Sequence, residues 1–321
     1  MTLWVNYASS YPSRHLAVGS ITAKSDETAE LASRACASKR GRTVSYMKEL
    51  VGARHVLWAL AYREIRGQYR STILGQLWSL ANPLTQMLVY TFVFSFIFSM
   101  KSPVGNPSGV DNYALFLLCG LIPWSLFQSS SMRGMTSLLS NANLISKVYF
   151  PRVVIPLAAS LAIGYNSLFE FVVVIIALTI GGAFVFPWLL GVVLLLVFLL
   201  CFATGIGLAL SIANMYFRDT QYLAGIVFQV WMWLSPIIYP MTLVEARSAE
   251  IGPLFGTNVT VLDIYGVNPM VHFIRAFRAL LYDNRFPTTF DTVACVVWGL
   301  VSLAIGWFIF SRNEKKLAEL L

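Results

Sequence analysis

The side chains able to carry covalent chemistry are few in this sequence and widely separated. His15, His55 and His272 lie far apart without an evident partner, and the four cysteines show no CxxC spacing. The sequence lacks the short motifs that hold a phosphate, a catalytic zinc ion or a nucleophilic serine. A membrane-bound glycosyl- or acyltransferase would need a carboxylate pair or a histidine base. The sequence therefore predicts no enzyme, and no cofactor or metal site in this chain.

Glu170 is the one acidic residue in the middle of a long apolar segment. An ionised carboxylate facing hydrocarbon is costly, so this side chain is expected to face protein or water, or to be protonated. A proton-coupled carrier is one interpretation, but such carriers usually show several groups of this kind. We favour a structural role or a polar position along a translocation path.

These residues belong to a chain with the composition of a membrane protein. Of its 321 residues, 57% are hydrophobic and 12% are charged, whereas about a quarter of the residues in soluble domains are charged. The apolar residues form uncharged runs long enough to cross a bilayer as helices, which excludes a soluble enzyme, a disordered chain and a transmembrane barrel. The predicted fold is all-α and polytopic, with six transmembrane helices at about 78–100, 113–133, 154–181, 187–213, 221–240 and 289–310.

The turn between the third and fourth predicted helices is indicated by Gly181, Gly182 and Pro187, because the apolar run 153–217 is too long for one crossing. With six crossings both termini share a side. That side carries 18 Lys and Arg residues and the other side carries five. This bias places both termini in the cytoplasm. It also explains the net charge of +8 without nucleic acid as a partner.

The chain divides into four parts, which are a polar tail (1–45), an amphipathic segment (46–75), the membrane body (76–312) and a short tail (313–321). The amphipathic segment predicts a helix in the cytoplasmic headgroup plane, either as a lipid anchor alone or as a docking site for a partner. Residues 241–288 form a long connection on the predicted outer side. Its apolar part predicts short re-entrant helices that dip into the outer leaflet between the fifth and sixth spans.

Two cytoplasmic connections carry residues that could contact a partner. The first, NANLISKVYFPRVVIP (141–156), has good cap residues and a short apolar stripe ahead of Pro151. The second, NMYFRDTQY (214–222), places Arg218 and Asp219 at a membrane boundary. An ordinary interfacial turn is the alternative for the first, and a simple marker of the membrane boundary is the alternative for the second.

Aromatic residues make up 14% of the chain. Many fit the belts that Trp and Tyr form at membrane interfaces, but several lie well inside predicted spans. Because aromatic rings stack on the C–H faces of sugars, a pore lined with them could let a glycan slide. Ordinary packing is the alternative for each ring. The small residues in 203–211 predict close helix packing.

Five segments together resemble, in order and spacing, the transmembrane subunit of ATP-binding-cassette exporters for lipid-linked polysaccharides such as O-antigen, teichoic acid, capsule and galactan precursors. The segments are YREIRGQYRSTILGQLWSLANPLTQMLVYTFVF (62–94), SKVYFPRVVIPLA (146–158), NMYFRDTQY (214–222), WLSPIIYP (233–240) and NPMVHFIRAFRALLY (268–282). The likeness covers about residues 46–312. An exporter of drugs or lipids with the same architecture is the alternative.

The resemblance implies a homodimer in the bacterial cytoplasmic membrane, with two copies of a separate ATPase subunit that holds ATP and Mg. It implies contacts with that subunit at Asn143, Leu144, Ile145, Lys147, Tyr149, Phe150, Arg152, Arg218 and Asp219. It implies a translocation path along the first and fifth spans at Tyr90, Phe94, Phe228 and Trp231, to which we add Glu170. Four arginines at the cytoplasmic rim either recognise the pyrophosphate of the lipid carrier or follow the positive-inside rule, and these are Arg54, Arg63, Arg66 and Arg70.

Overall fold

The structure is a computed structural model of the chain, and it describes residues 52–68, 72–73, 75–100, 103–148, 150–253 and 259–314. By its internal contacts the chain divides into two units, Met1–Ala53 and Arg54–Leu321. The second unit is the helical body described below. The polar tail 1–45 and residues 315–321 lie outside the described residues.

The regular elements within the described ranges are all helical, which confirms the predicted fold class. In chain order the helices are α1 (Arg54–Gln68), α2 (Trp78–Tyr90), α3 (Tyr113–Ser140), α4 (Ala142–Ile145), α5 (Val154–Ile180), α6 (Leu189–Tyr216), α7 (Thr220–Trp233), α8 (Met241–Ile251), α9 (Val261–Val267), α10 (Pro269–Arg278) and α11 (Thr289–Asn313). Helix α2 continues into a π-helical turn (Thr91–Ile97), and α10 continues into a second one (Ala279–Asp283).

Within the described residues, five helical stretches are long and apolar enough to cross a membrane. They are Trp78–Ile97, Tyr113–Ser140, Val154–Ile180, Phe186–Tyr216 and Thr289–Asn313. They correspond to five of the six predicted crossings. Helix α7 covers the first part of the remaining predicted span, 221–240, but it has only 14 residues. The fifth of the six predicted spans therefore stays a prediction.

The predicted turn inside the longest apolar run is confirmed. Helix α5 ends at Ile180, and Gly182 follows with a φ of +94°, a left-handed conformation that glycine adopts without steric cost. Pro187 lies in a short 3₁₀ turn (Phe186–Trp188) that leads into α6. The chain thus reverses direction where the sequence offers its only Gly-Gly pair near a proline.

Helix α3 forms the centre of the body because apolar and small residues cover most of its circumference. It packs against α5, α6 and α10. Its largest buried side chains include Trp124 and Phe127, both at most 2% exposed. Ser131 in this helix bonds across the bundle, where its Oγ donates to the carbonyl of Ala203 at 3.2 Å.

Glycines allow the closest helix contacts, as the small residues in 203–211 predicted. A Cβ atom added at Gly205 would lie 2.3 Å from backbone atoms of Ser302 in α11. One added at Gly306 would lie 2.1 Å from the carbonyl oxygen of Gly205. The backbones of α6 and α11 are therefore in direct contact. Such close contacts at small residues are common in membranes, where the hydrophobic effect does not drive helices together.

The long connection 241–288 contains short helices, and their re-entrant position in the outer leaflet stays a prediction. These are α8, α9 and α10, and Asn268 caps α10 by accepting a hydrogen bond from the backbone N–H of Met270 at 3.0 Å. Helix α10 is buried on nearly its whole surface, with Phe273 and Phe277 at 0% exposed. It packs near the N-terminal end of α3, whereas α4 follows the C-terminal end of α3.

Candidate functional site

Helix α1 packs along α5, and polar side chains attach it to α3. Arg133 in α3 donates to Glu64 Oε1 at 2.7 Å. Arg63 donates to Asn141 Oδ1 at the end of α3. Further along, Asn166 Nδ2 in α5 donates to Gln68 Oε1 at 2.7 Å. The helix predicted within 46–75 is thus held against two long helices over the residues that the structure describes.

The connection 141–152, which was predicted to contact an ATPase subunit, begins with the single helical turn α4. Ile145 is buried and anchors this turn against the body, while Asn143, Lys147 and Val148 are exposed. Leu144 and Phe150 are partly buried, and Tyr149 lies outside the described residues. The connection therefore combines one apolar anchor with an outward-facing polar and apolar surface.

The far end of this connection is tied to the last helix. The backbone N–H of Arg152 donates to Glu314 Oε1 at 2.8 Å. The guanidinium Nη1 of Arg152 donates to the Glu314 carbonyl oxygen at 2.9 Å. The connection is thus bonded to α1 at one end, through Asn141, and to the end of α11 at the other.

The remaining candidates for contact with a partner or with the lipid carrier are exposed where the structure describes them. Arg218 and Asp219 lie between α6 and α7 with their side chains in solvent. Of the rim arginines, Arg54 and Arg66 are exposed, and the Arg66 guanidinium lies 4.5 Å from the ring centre of Tyr62. Arg63 is also exposed and bonds Asn141, as described above. Arg70 lies outside the described residues.

The candidate path residues of α2 and its π-turn are partly buried and connected to α7. The rings of Tyr90 and Phe94 lie 6.4 Å apart, and Tyr90 lies 6.4 Å from Trp233. Both helical stretches also present large exposed apolar side chains, and these include Leu88, Val89, Phe92, Phe96, Leu223, Ile226, Val227 and Val230. The two faces thus offer broad apolar surface that the subunit itself does not cover.

The two candidate path residues of α7 contribute to the core of the subunit. Phe228 is 2% exposed and stacks on Trp231 with ring centres 6.2 Å apart. Trp231 donates from Nε1 to Asn268 Oδ1 at 2.8 Å. Asn268 also donates to the Leu234 carbonyl and to Ser235 Oγ, both at 3.2 Å. Asn268 therefore joins α7 to the first turn of α10.

Glu170 lies at a polar cavity of about 240 Å³ between α1, α2, α3 and α5. The residue is 6% exposed, and its Oε2 is buried without a hydrogen-bond partner among the described residues. Asn166, Ser167 and Gln68 line the same cavity. The expectation that this carboxyl faces protein or a polar space, and not lipid, agrees with this position.

His272 has a partner that the sequence did not reveal. Its Nδ1 lies 2.8 Å from Asp291 Oδ1 in the first turn of α11, and its Nε2 lies 2.9 Å from the Gly266 carbonyl. The hydrogen bond with Asp291 raises the pKa of His272. The interpretation of this histidine as unpartnered was wrong, because the two residues are distant in sequence and meet only when α10 folds back onto α11.

Arg278 was counted among the charges on the outer side, but it is a buried core residue. It is 8% exposed and donates to the carbonyls of Pro236 and Ile237 at 2.5 Å and 2.6 Å. Its guanidinium lies 3.6 Å from the ring centre of Phe116. No pattern in the sequence marked it, because an arginine within a mixed apolar and basic segment can lie at the surface or in the core.

Long apolar helices pack around the central helix α3. The buried helix α10 lies near one end of α3, and an exposed connection lies at the other. With five helical stretches long enough to cross a bilayer, this arrangement is typical of a polytopic membrane protein. The family model for the ABC-2 type transporter matches residues 55–251. The chain therefore belongs to this family of membrane permeases, which confirms the resemblance found in the five sequence segments.

Several characterised relatives match along nearly their whole length. The chain is 27% identical over 267 residues to the O-antigen export system permease protein RfbA of Klebsiella pneumoniae, covering 83% of this chain and 95% of that protein. It is 27% identical over 282 residues to the protein of the same name from Myxococcus xanthus, covering 86% and 99%. It is 23% identical over 261 residues to the polysialic acid transport protein KpsM of Escherichia coli, covering 80% and 93%.

Proposed function

We propose that this chain is the membrane subunit of an ATP-driven exporter that carries a lipid-linked polysaccharide across the bacterial cytoplasmic membrane. The observation that carries the proposal is the match, over 80% or more of this chain, to permeases named for O-antigen export and polysialic acid transport. These names support a polysaccharide as cargo and give no support to the alternative of drug or lipid export.

The proposed topology has six crossings with both termini in the cytoplasm. Helix α7 supplies the fifth crossing, although its 14 residues span only about 21 Å. The buried helix α10, with the more exposed α8 and α9, would complete the outer leaflet beside it, since irregular backbone at membrane depth is tolerated where protein surrounds it. The excess of Lys and Arg on the side of the termini supports this orientation.

The proposed assembly is a homodimer with two copies of a separate ATPase subunit, which holds ATP and Mg. The apolar faces of α2 and α7 would face lipid, the second copy or the cargo, with the path running beside Tyr90, Phe94, Phe228, Trp231 and Glu170. No covalent chemistry is assigned to this chain.

The proposed coupling surface consists of the connection 141–152 together with Arg218 and Asp219. ATP binding can shift the path only if the ATPase subunit contacts two states of the permease differently, and exposed residues such as Asn143 and Lys147 are available for such contacts. The bonds of Asn141 to Arg63 and of Arg152 to Glu314 would carry the displacement to α1 and α11.

The proposed role of the rim arginines is recognition of the carrier lipid's pyrophosphate. Arg54 and Arg66 have exposed guanidinium groups, which suit bidentate bonds to phosphate oxygens. Arg63 contributes less to such binding because it donates to Asn141. Arg70 belongs to the same proposal on sequence grounds.

The test of coupling replaces Leu144–Lys147 with Gly and Ser residues. The purified complex, reconstituted in proteoliposomes with its ATPase subunit, is expected to lose ATP-driven export of the polysaccharide while the permease still inserts. The control changes Leu243 and Glu245 to Ser, since both are exposed on α8 away from this connection. Full export by the Gly/Ser variant would refute the coupling role. Absence of ATP-driven polysaccharide export by the unmodified complex would refute the proposed function.

A further inference from the structure

The cavity at Glu170, called the Glu170 cavity below, is a half-open cleft in the helical body and is lined mainly by polar side chains. It has a volume of about 240 Å³, the space of roughly eight water molecules. Its lining residues come from four helices, and they include Gln68, Asn82, Ser125, Ser129 and Asn166 as well as Glu170. A space of this size lined by amides and hydroxyls is unusual among helices that otherwise pack through apolar residues.

Two buried acceptor atoms in this cavity have no partner within the described residues. They are Oε2 of Glu170 and Oδ1 of Asn166, whose side chains are 6% and 4% exposed. The two residues are four apart on α5, so they lie one above the other on one helix face. The amide group of Asn166 already donates to Gln68, which leaves its oxygen as an acceptor. Because unpaired buried acceptors are costly, the site favours an occupant that brings hydrogen-bond donors, as water or a hydroxyl-bearing ligand does.

The lining also restricts the chemistry of that ligand. No Lys or Arg is among the described residues that line the cavity, which disfavours a phosphate or another anion. A single carboxyl with neutral amides and hydroxyls provides too few charged ligands for a divalent cation. An acyl chain would leave every polar group unpaired. A neutral group with several hydroxyls satisfies both acceptors and the serines, since hydroxyls donate and accept.

Trp78 adds a flat surface at the edge of the cavity. Its side chain lines the cavity and is 52% exposed. An indole face packs well on the C–H face of a sugar ring, while the polar groups opposite it bond the ring hydroxyls. A few polar groups that fix orientation beside an aromatic wall are typical of small-molecule sites.

We propose that the Glu170 cavity is a binding site for one neutral, hydroxyl-rich ring, with Glu170 and Asn166 as its hydrogen-bonding residues. Two sources supply this chemistry. One is a sugar residue of the exported glycan, and this source rests on the proposed function. The other is the polyol headgroup of a membrane lipid such as phosphatidylinositol, which reaches the cavity from the bilayer independently of export.

The experiment measures binding by saturation-transfer NMR to the full chain in phosphatidylethanolamine nanodiscs. The probes are methyl glycosides of glucose, galactose, mannose and rhamnose, and a second set of nanodiscs contains phosphatidylinositol. Glu170→Leu is expected to weaken binding roughly fivefold to tenfold, the effect of losing one or two hydrogen bonds. Glu170→Gln retains an acceptor and is expected to bind nearly as the unmodified chain does. Glu245→Gln, at an exposed glutamate outside the cavity, is the matched control.

A second variant distinguishes loss of the binding site from misfolding of Glu170→Leu. Ser129→Phe fills the cavity from α3 and leaves Glu170 in place, so it is expected to abolish binding while the protein elutes normally in size-exclusion chromatography. If a glycoside binds and both variants weaken its binding, the glycan is the source. If only the inositol headgroup binds and both variants weaken its binding, the lipid is the source. The proposal is overturned if neither a glycoside nor the inositol headgroup binds, or if their binding is the same in both variants as in the unmodified chain. It is also overturned if the cavity binds the ammonium group of ethanolamine and not a glycoside or inositol.

Different results refute the proposed function and the proposed binding site. Polysaccharide export by the reconstituted complex without any Glu170-dependent binding of a glycoside or inositol headgroup refutes the site alone. Glu170-dependent binding of a glycoside without export refutes the proposed function and leaves the site.

Discussion

The imidazole of His272 and the carboxyl of Asp291 form a buried pair with Nδ1 and Oδ1 2.8 Å apart. Both residues are 2% exposed. Arg275 Nε lies 3.5 Å from Asp291 Oδ2, and Thr288 Oγ1 donates to the same oxygen at 2.6 Å. On the other side of the imidazole lie the Gly266 carbonyl and the ring of Phe290. This pair fixes α10 to the first turn of α11.

The first prediction concerns the pH dependence of stability. The hydrogen bond to Asp291 raises the pKa of His272, so the folded state holds this proton more tightly than the unfolded state. The resulting stabilisation is complete below the ordinary histidine pKa and is lost as the pH rises through the raised value. As the pH is raised from about 6 to about 9, the thermal midpoint of the purified protein is expected to decrease.

The variant His272→Gln removes this titration and isolates it from other groups. Its thermal midpoint is expected to be lower than that of the unmodified protein at about pH 6, with the difference shrinking towards about pH 9. Differential scanning fluorimetry at a series of pH values measures both. A difference that stays constant across the series would contradict the assignment of the proton to His272.

The second prediction concerns Arg278, whose guanidinium satisfies two carbonyls in the turn after α7. Arg278→Met keeps much of the side-chain volume but leaves the carbonyls of Pro236 and Ile237 without these donors. The expected loss is about 3 kcal/mol in the free energy of unfolding. Arg247→Met, at a side chain that is 73% exposed, is the control and is expected to change stability by about 0.5 kcal/mol or less. Equal midpoints in denaturant for the two variants would show that Arg278 is not a structural residue.

The third prediction uses the backbone contact between α6 and α11. Gly205→Ala places a methyl group 2.3 Å from Ser302 backbone atoms, so the helices must separate and the expected cost is about 1–3 kcal/mol. Gly67→Ala is the matched control, because a Cβ at that helical position meets nothing within 4 Å. The control is expected to be neutral or more stable by up to about 1 kcal/mol. Thermal unfolding compares them, and a neutral Gly205→Ala would mean that the two helices adjust without cost.

The long helices could be predicted from the sequence because the bilayer requires long uninterrupted apolar runs. The turn at Gly182 and the small residues around Gly205 were also predictable, since each has a local cause in backbone conformation or side-chain size. Helix α7 was predicted to be longer than it is. Its apolar character continues to Pro240, but the helix ends at Trp233, and hydropathy does not distinguish a helix from the buried turn that follows it.

The polar contacts could not be predicted, because they join residues that are distant in sequence. Asp291 follows His272 by 19 positions, and only the fold of α10 brings them together. Glu170 was recognised as unusual from its surroundings in the sequence, but its cavity is formed by four helices. Arg278 was counted among the charges on the outer side of the membrane, and such a count does not indicate which arginines are buried.

The last prediction tests whether α1 transmits motion from the connection 141–152. Arg133 and Glu64 pair at 2.5 Å, and their side chains are 47% and 23% exposed, so the pair contributes about 1 kcal/mol or less to stability. Glu64→Arg is therefore expected to leave the thermal midpoint nearly unchanged. If α1 transmits motion, the same variant should raise the ATP hydrolysed per polysaccharide exported by roughly threefold or more.

The exchanged pair Glu64→Arg with Arg133→Glu restores the attraction and should return this ratio towards that of the unmodified complex. The control exchanges Arg247 and Glu250, an exposed pair on α8 with a separation of 2.6 Å, and it should not change the ratio. Export and ATP hydrolysis are measured together in proteoliposomes that contain the permease and its ATPase subunit. If Glu64→Arg does not change the ATP hydrolysed per polysaccharide exported, or if the exchanged pair does not restore it, α1 has a structural role and takes no part in coupling.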